Sequence, residues 1–282
     1  MITVLSVRQA ERRRGLAGVL DRFRRDRAET ELLRARGVSV KRVNLTTFRG
    51  KPSFDRADKA VGAERRRILC AEALSLPRDM GYKRFESPLF SSRICGNMFL
   101  AVLREAKHGA SLRVGIYDPG AIATDILTGA LECCCDVKAV TCRADRYALA
   151  ARRALEDMGA SSVITSRIDE LSDRDFVLAP SNIAQPLPLG ASCITLTVGE
   201  PRERAGGTVY TSYSFKIPKG FAELKPDELS EEYFCSALYT LGGQYELGSI
   251  VPLSCGNRIG TQTVASLAAA LDSAVSSRYV FS

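Results

Sequence analysis

From Leu112 onward the apolar positions fall into short runs separated by helical stretches. "LRVGIYD" (112–118) reads as a strand and 121–134 as a helix. "DVKAVTC" (136–142) is a second strand, 145–158 a helix closed by Gly159, and "SSVITS" (161–166) a third strand. "RDFVLAP" (174–180) and "SCITLTVG" (192–199) add two more. Strands alternating with helices of about ten to fifteen residues predict βαβ units and a parallel sheet. The runs are continuously apolar, which suits a sheet covered on both faces. The expected fold is therefore α/β, a doubly wound parallel sheet of five strands over about 110–205.

The pattern ahead of this core is less regular. "ITVLSV" (2–7) reads as a strand. Residues 16–35 read as a helix, with Leu16, Val19, Leu20, Phe23, Leu32 and Leu33 on one rough apolar face and Gly37 closing it. "VSVKRVNL" (38–45) alternates like a strand, 48–57 is a loop, and helices are expected over 58–75 and 92–109. The first hundred residues thus read as a mixed, mostly helical region. After Gly206-Gly207 come a strand (208–217), a loop, a helix over 230–243 with Ser230 at its start, and a final helix over 260–277. The expected divisions are a basic N-terminal region (1–108), a sheet domain (109–205) and a C-terminal return (206–282).

Composition narrows the class. The chain has 282 residues, 45% of them apolar, and no run near the roughly 20 apolar residues of a membrane span. The first residues place no basic stretch ahead of an apolar one, so a cytoplasmic location is expected. Nine cysteines accompany a single histidine, His108, without a CxxC pair. That spacing favours small buried hydrophobes over a metal or disulfide framework, the adjacent Cys133, Cys134 and Cys135 included. His108, at the end of a helix, is adequately explained by the helix dipole.

Charge is uneven: residues 1–70 carry 19 Lys and Arg against 8 Asp and Glu, and the remainder 21 against 24. The clusters at 11–15, 21–27 and 64–67 could meet phosphates. Acidic partners sit at helical spacing beside them, the pattern of a solvated helix face, so nucleic acid is not the expected partner.

The chemistry concentrates at the first turn of the core, Asp118-Pro-Gly120-Ala-Ile-Ala123. A dinucleotide turn wants Gly-x-Gly-x-x-Gly or Ala: one glycine for the tight turn, one for backbone approach to the pyrophosphate, one small residue for packing. Gly120 and Ala123 meet the second and third needs, and Asp118 stands in place of the first. With Pro119 behind it, Asp118 is expected to cap the following helix. A carboxylate there would repel a pyrophosphate. The next strand ends in Thr141-Cys142-Arg143 without the acid that accepts ribose hydroxyls, and Arg143 or Arg146 could take a 2′-phosphate, which favours NADP over NAD.

At this point the chain resembles the Rossmann-like nucleotide-binding superfamily. In one register residues 112–199 look like the nucleotide half of an NAD(P)-dependent dehydrogenase. In another, "YDPGA" resembles the first motif of S-adenosylmethionine-dependent methyltransferases, and "DFVLAPSN" (175–182) their fourth-strand motif, with Ile122 and Ser181-Asn182 departing from it. The resemblance implies a ligand at the carboxyl rim of the sheet, lined by Asp118, Gly120, Ala123, Thr141, Arg143, Ser166, Arg167, Pro180, Ser181 and Asn182. Three readings stand together: an NADP-using oxidoreductase acting on a small molecule between the N-terminal region and this rim, a non-catalytic scaffold or sensor with a degenerate site, and a degenerate methyltransferase.

Overall fold

The computed structural model describes residues 1–10, 24–48 and 52–280. They divide into two units, each built from two stretches of chain: Met1–Phe90 with Ile217–Leu247, and Ser91–Lys216 with Gly248–Ser282. The division falls at Phe90, ahead of the expected boundary at 108, and the chain after 206 contributes to both units.

In the first unit, β1 (Ile2–Gln9) and β3 (Val38–Thr47) run parallel, and β2 (Arg27–Ala35) pairs antiparallel with β3. The expected helix over 16–35 is thus replaced by a strand from Arg27; its residues 16–23 lie outside the described part. Gly37 does not close a helix. Arg36 and Gly37, at φ 49° and 77°, form a two-residue hairpin turn between paired Ala35 and Val38, and positive φ at both positions suits the strand twist. Pairing with β3 overrides a local sequence that alternates weakly, because most of β2 is exposed.

The expected helix over 58–75 is shorter and earlier. α1 spans Phe54–Val61 and ends at Gly62, a 3₁₀ turn runs to Arg67, and Leu69 bridges to Val4 of β1 while Ile68 bridges to Arg84. Leu5, Val43, Leu45, Phe54, Ala57 and Val61 form the core beneath this helix. The "mostly helical" expectation is therefore corrected: the described N-terminal residues are organised by a three-stranded sheet. Of the basic clusters, that at 11–15 lies outside the described residues, as do residues 21–23 of the second, whose Arg27 pairs with Glu29 at 3.0 Å. In the third, Arg65 pairs with Asp58 and Arg67 with Glu64, each at 2.9 Å.

The second unit begins with α2 (Leu89–Glu105), most of which belongs to it. Six parallel strands follow: β4 (Arg113–Tyr117), β5 (Asp136–Val140), β6 (Val163–Thr165), β7 (Phe176–Ala179), β8 (Ile194–Thr197) and β9 (Thr208–Tyr210). Helices α3 (Asp125–Leu131) and α4 (Ala144–Met158) make the first two crossovers. The order across the sheet is β6-β5-β4-β7-β8-β9. In order of appearance this is 3-2-1-4-5-6, the doubly wound arrangement of dinucleotide-binding domains. Five strands were expected and six are present. The run at 208–217 splits, its first residues joining this sheet as β9 and Ser212–Ser214 forming β10 in a small antiparallel sheet with β11 (Ser254–Gly256) and β12 (Thr261–Thr263).

Glycines set how closely this unit packs. A Cβ on Gly96 of α2 would sit 2.8 Å from Ile126 of α3, and one on Gly206 or Gly207 would sit 2.1 Å from a backbone carbonyl oxygen, that of Leu189 or Cys193. Phe99 of α2 stacks on Phe176 of β7 with centroids 4.7 Å apart.

The sheet's amino edge carries an ionic network. Arg174, with its side chain only 1% exposed, bonds Asp136 and Asp173 at 2.7 Å each. Asp175 receives the Arg113 amide at 2.9 Å and pairs with Arg278 at 2.6 Å. Arg278 lies on the last helix (Val264–Val280), whose Asp272 also accepts from the amides of Lys107 and His108. The last helix is thereby fastened to the sheet unit. No helix among the described residues is long and apolar enough to cross a membrane. Six cysteines are buried, and Cys135 and Cys142 are exposed.

Candidate functional site

In a doubly wound sheet the ligand crevice opens where the strand order reverses, outside the carboxyl ends of the two central strands. Those strands here are β4 and β7, paired in register through Ile116 and Leu178. Asp118 and Pro180, two residues beyond that pair, therefore stand side by side at the switch point. The 118–123 corner and the 180–182 loop thus follow neighbouring strands at the carboxyl edge of the sheet.

The corner is not built as the motif implies. α3 begins at Asp125, so residues 119–124 are a loop and Asp118 does not cap the helix. The Asp118 carboxylate is fully buried and folds back over its own loop. It accepts from the amides of Ile122 (3.1 Å) and Ala123 (2.9 Å) and from the hydroxyl of Tyr147 on α4 (2.9 Å). Ala121 is held at φ 52°, a left-handed conformation costly for a residue with a Cβ. Burial, followed by the Asp118 charge, pushes the Tyr147 hydroxyl well above the ordinary range for tyrosine, so it stays a neutral donor. Two amides that a glycine-rich turn would offer to a phosphate are thus already ligated by a carboxylate of the same chain. A second acid, Asp125 in the first turn of α3, pairs with Arg93.

Gly120 is exposed, and a Cβ there would meet only Ile122, at an ordinary 3.5 Å. Its bareness serves no packing contact and leaves the loop open on its outer side. Ala123 is buried.

The tips of β5 and β6 carry matching devices. The Thr141 hydroxyl accepts from the Arg143 amide at 3.1 Å, and the Arg143 guanidinium chelates Asp145. One strand over, Thr165 accepts from the Arg167 amide at 3.1 Å, and Arg167 chelates Asp169. The pattern is legible in the chain as Thr141-Cys-Arg-Ala-Asp145 and Thr165-Ser-Arg-Ile-Asp169. In each, a threonine fixes the turn and an acid fixes the plane of the guanidinium. Those bonds use one edge of each guanidinium, Nε and Nη2. The two arginines stand on adjacent strands of the same rim.

The 180–182 loop is fixed from behind. Ser92 of α2 donates to the Pro180 carbonyl at 2.5 Å, and Thr197 donates to the Ser181 carbonyl at 3.0 Å. The Asn182 amide nitrogen donates to the Glu200 carbonyl at 2.5 Å, while its Oδ1 is buried with no partner. Gln185 donates to the Tyr117 hydroxyl at 2.7 Å.

The sheet thus assembles Asp118, Gly120, Ala123, Thr141, Arg143, Pro180, Ser181 and Asn182 along one rim. Tyr147 and Gln185 are the supporting residues that sequence reading missed. They act through contacts far apart in the chain, and only the paired Thr-x-Arg-x-Asp segments left a readable signal.

No family model matches the chain, and no curated protein matches it in sequence. Among solved structures it is similar to Thermococcus litoralis Δ1-pyrroline-2-carboxylate reductase in complex with NADH and L-proline, at 14% identity and TM-score 0.30, over 39% of this chain and 36% of that one. It is similar to Acinetobacter calcoaceticus benzyl alcohol dehydrogenase at 20% identity and TM-score 0.27, over 45% and 43%. A third similarity, to Nostoc punctiforme L-tryptophan dehydrogenase, has 10% identity and TM-score 0.30 over 86% and 78%. The chain matches less than half the length of the first two. Likeness this distant carries no function.

Proposed function

We propose that the second unit binds a nicotinamide dinucleotide, NADP in preference to NAD, and that the protein is an oxidoreductase acting on a small molecule. The observation that carries this reading is the 3-2-1-4-5-6 order of an all-parallel sheet, whose switch point falls between Asp118 and Pro180. That order is the dinucleotide arrangement and ranks NADP above S-adenosylmethionine. The residues present fit such a ligand in two places. The open outer side of Gly120 admits a pyrophosphate, and Arg143 on the β5 tip meets a 2′-phosphate. When bound, a nicotinamide supplies hydride transfer.

A second reading has its own observation. Because the Asp118 carboxylate saturates the Ile122 and Ala123 amides, the turn is stable without phosphate, as a scaffold or sensor without catalysis requires. Thermal denaturation with NADPH, NADH and S-adenosylmethionine separates the readings. A ligand at about a hundred times its dissociation constant adds about 2.7 kcal/mol. Stabilisation by NADPH above NADH is expected, and silence from all three selects the scaffold.

A further inference from the structure

The first unit holds two adjoining cavities of opposite character. One, of about 470 Å³, lies over the face of the sheet that carries Ser6, Arg8, Arg42 and Asn44, with residues 222–228 as its far wall. Its basic groups are Arg8, Arg42 and Lys225; its acidic groups are Glu31, Glu223, Asp227 and Glu228. Among the described residues, none of these charges forms an ion pair with another, although Glu31 and Arg42 are opposite each other on β2 and β3. Lys225 is turned to the carbonyls of Pro226 and Leu229. Arg42 donates one nitrogen to the Leu224 carbonyl, and its Nε is buried with no acceptor. The second cavity, of about 570 Å³, is mainly apolar, lined by Leu5, Val7, Pro52, Ala71, Ala73 and Leu74. The two share Ser6, Arg8, Asp227 and Glu228. Both volumes fall in the range of small-molecule sites.

Charges of both signs held apart around a cavity complement a ligand that itself carries both. A simple anion would face four carboxylates and a simple cation two guanidiniums, and burying either charge beside a like one is costly. An apolar compartment opening at the same four residues takes an uncharged arm. Glu228 does not supply the free acid: burial would raise its carboxyl, but the Ser6 hydrogen bond, a backbone hydrogen bond and the nearby Arg8 and Arg42 outweigh it and keep it ionised. Of the two acids common to both cavities this leaves Asp227 for an ammonium, with the guanidiniums of Arg8 and Arg42 for a carboxylate.

We infer that the first unit carries a binding site for an amino acid with an aliphatic side chain, its carboxylate on Arg8 and Arg42, its ammonium on Asp227 and its side chain against Leu74. The site stands on the first unit alone and does not rest on the nucleotide reading.

Calorimetric titration of the full chain tests it with three probes: L-leucine, 4-methylpentanoate, which lacks the amine, and 3-methylbutylamine, which lacks the carboxylate. L-leucine is expected to bind, and each single-charge analogue at least about tenfold more weakly. Arg8→Gln should weaken L-leucine and leave the amine unchanged, whereas Asp227→Asn should weaken L-leucine and leave 4-methylpentanoate unchanged. A variant that merely misfolds would lose all three probes alike. Absence of L-leucine binding at millimolar concentration, or equal binding of the analogues, overturns the inference. Either result is independent of whether NADPH binds.

Discussion

The Tyr147 hydroxyl donates a 2.9 Å hydrogen bond to the Asp118 carboxylate, and both groups are completely buried. This bond ties α4 to the corner after β4, and with the Ile122 and Ala123 amides it replaces an external phosphate by an internal anion. Tyr147→Phe removes one of three donors to a buried charge and should cost about 2 kcal/mol in urea denaturation. A change below a few tenths would show that the bond contributes nothing net.

Replacing the carboxylate separates stability from binding. Asp118→Gly restores the first glycine of the dinucleotide turn and frees the two amides. The variant should lose roughly 3 kcal/mol of stability, since three buried donors lose their acceptor. It should also bind NADPH at least about tenfold more tightly, because the amides become available to a phosphate. Unchanged affinity in a folded variant would mean that no phosphate approaches those amides.

Two exposed thiols sit on opposite edges of the sheet. Cys142 follows β5 at the carboxyl rim, and Cys135 precedes it at the amino edge. Both should react rapidly with a maleimide in the native protein. The buried Cys134, Cys235 and Cys255, whose thiols burial pushes up to about 12, should not react until unfolding. Under the proposed function NADPH slows the labelling of Cys142 and leaves Cys135 unaffected, as mass spectrometry of the labelled sites would show. Equal protection of both, or of neither, counts against the nucleotide at this rim.

The amino-edge network predicts a pH dependence. Burial would raise the Asp175 carboxyl, but the Arg113 amide and the guanidiniums of Arg278 and Arg113 outweigh it and hold it below the usual range. A depressed carboxylate stabilises the fold above its unfolded value of about 3.9, and that contribution is lost as pH falls through the lower folded value. Asp175→Asn should therefore be less stable than the wild type by about 2 kcal/mol at pH 7, the gap closing as pH falls from about 3.9 through the lower folded value. A gap that persists in acid would point to packing rather than charge.

Gly206 and Gly207 admit β9 to the sheet. At Gly207 the backbone is at φ 72° and a Cβ would lie 2.1 Å from the Cys193 oxygen. Gly207→Ala should destabilise the fold by at least about 2 kcal/mol, more than the usual glycine-to-alanine change at a compatible site, measured by thermal denaturation.

The regular alternation after Leu112 was sufficient by itself to specify a parallel α/β sheet with its rim at 118–123, 141–143 and 180–182, because a strand buried on both faces leaves an uninterrupted apolar run. The positions of Gly159 and Ser230 likewise followed from local chemistry, a left-handed cap at φ 68° and a hydroxyl accepting from Tyr233. Tertiary structure alone decided the rest. β2 is a strand because β3 offers it a partner, and β9 joins the sheet because two glycines let it approach. Asp118 reads as a helix cap, but a tyrosine 29 residues away and two loop amides turn it inward. Local propensity is a matter of a few tenths of a kilocalorie per residue, whereas leaving a buried charge or an edge hydrogen bond unsatisfied costs several times as much, so contacts distant in the chain prevail.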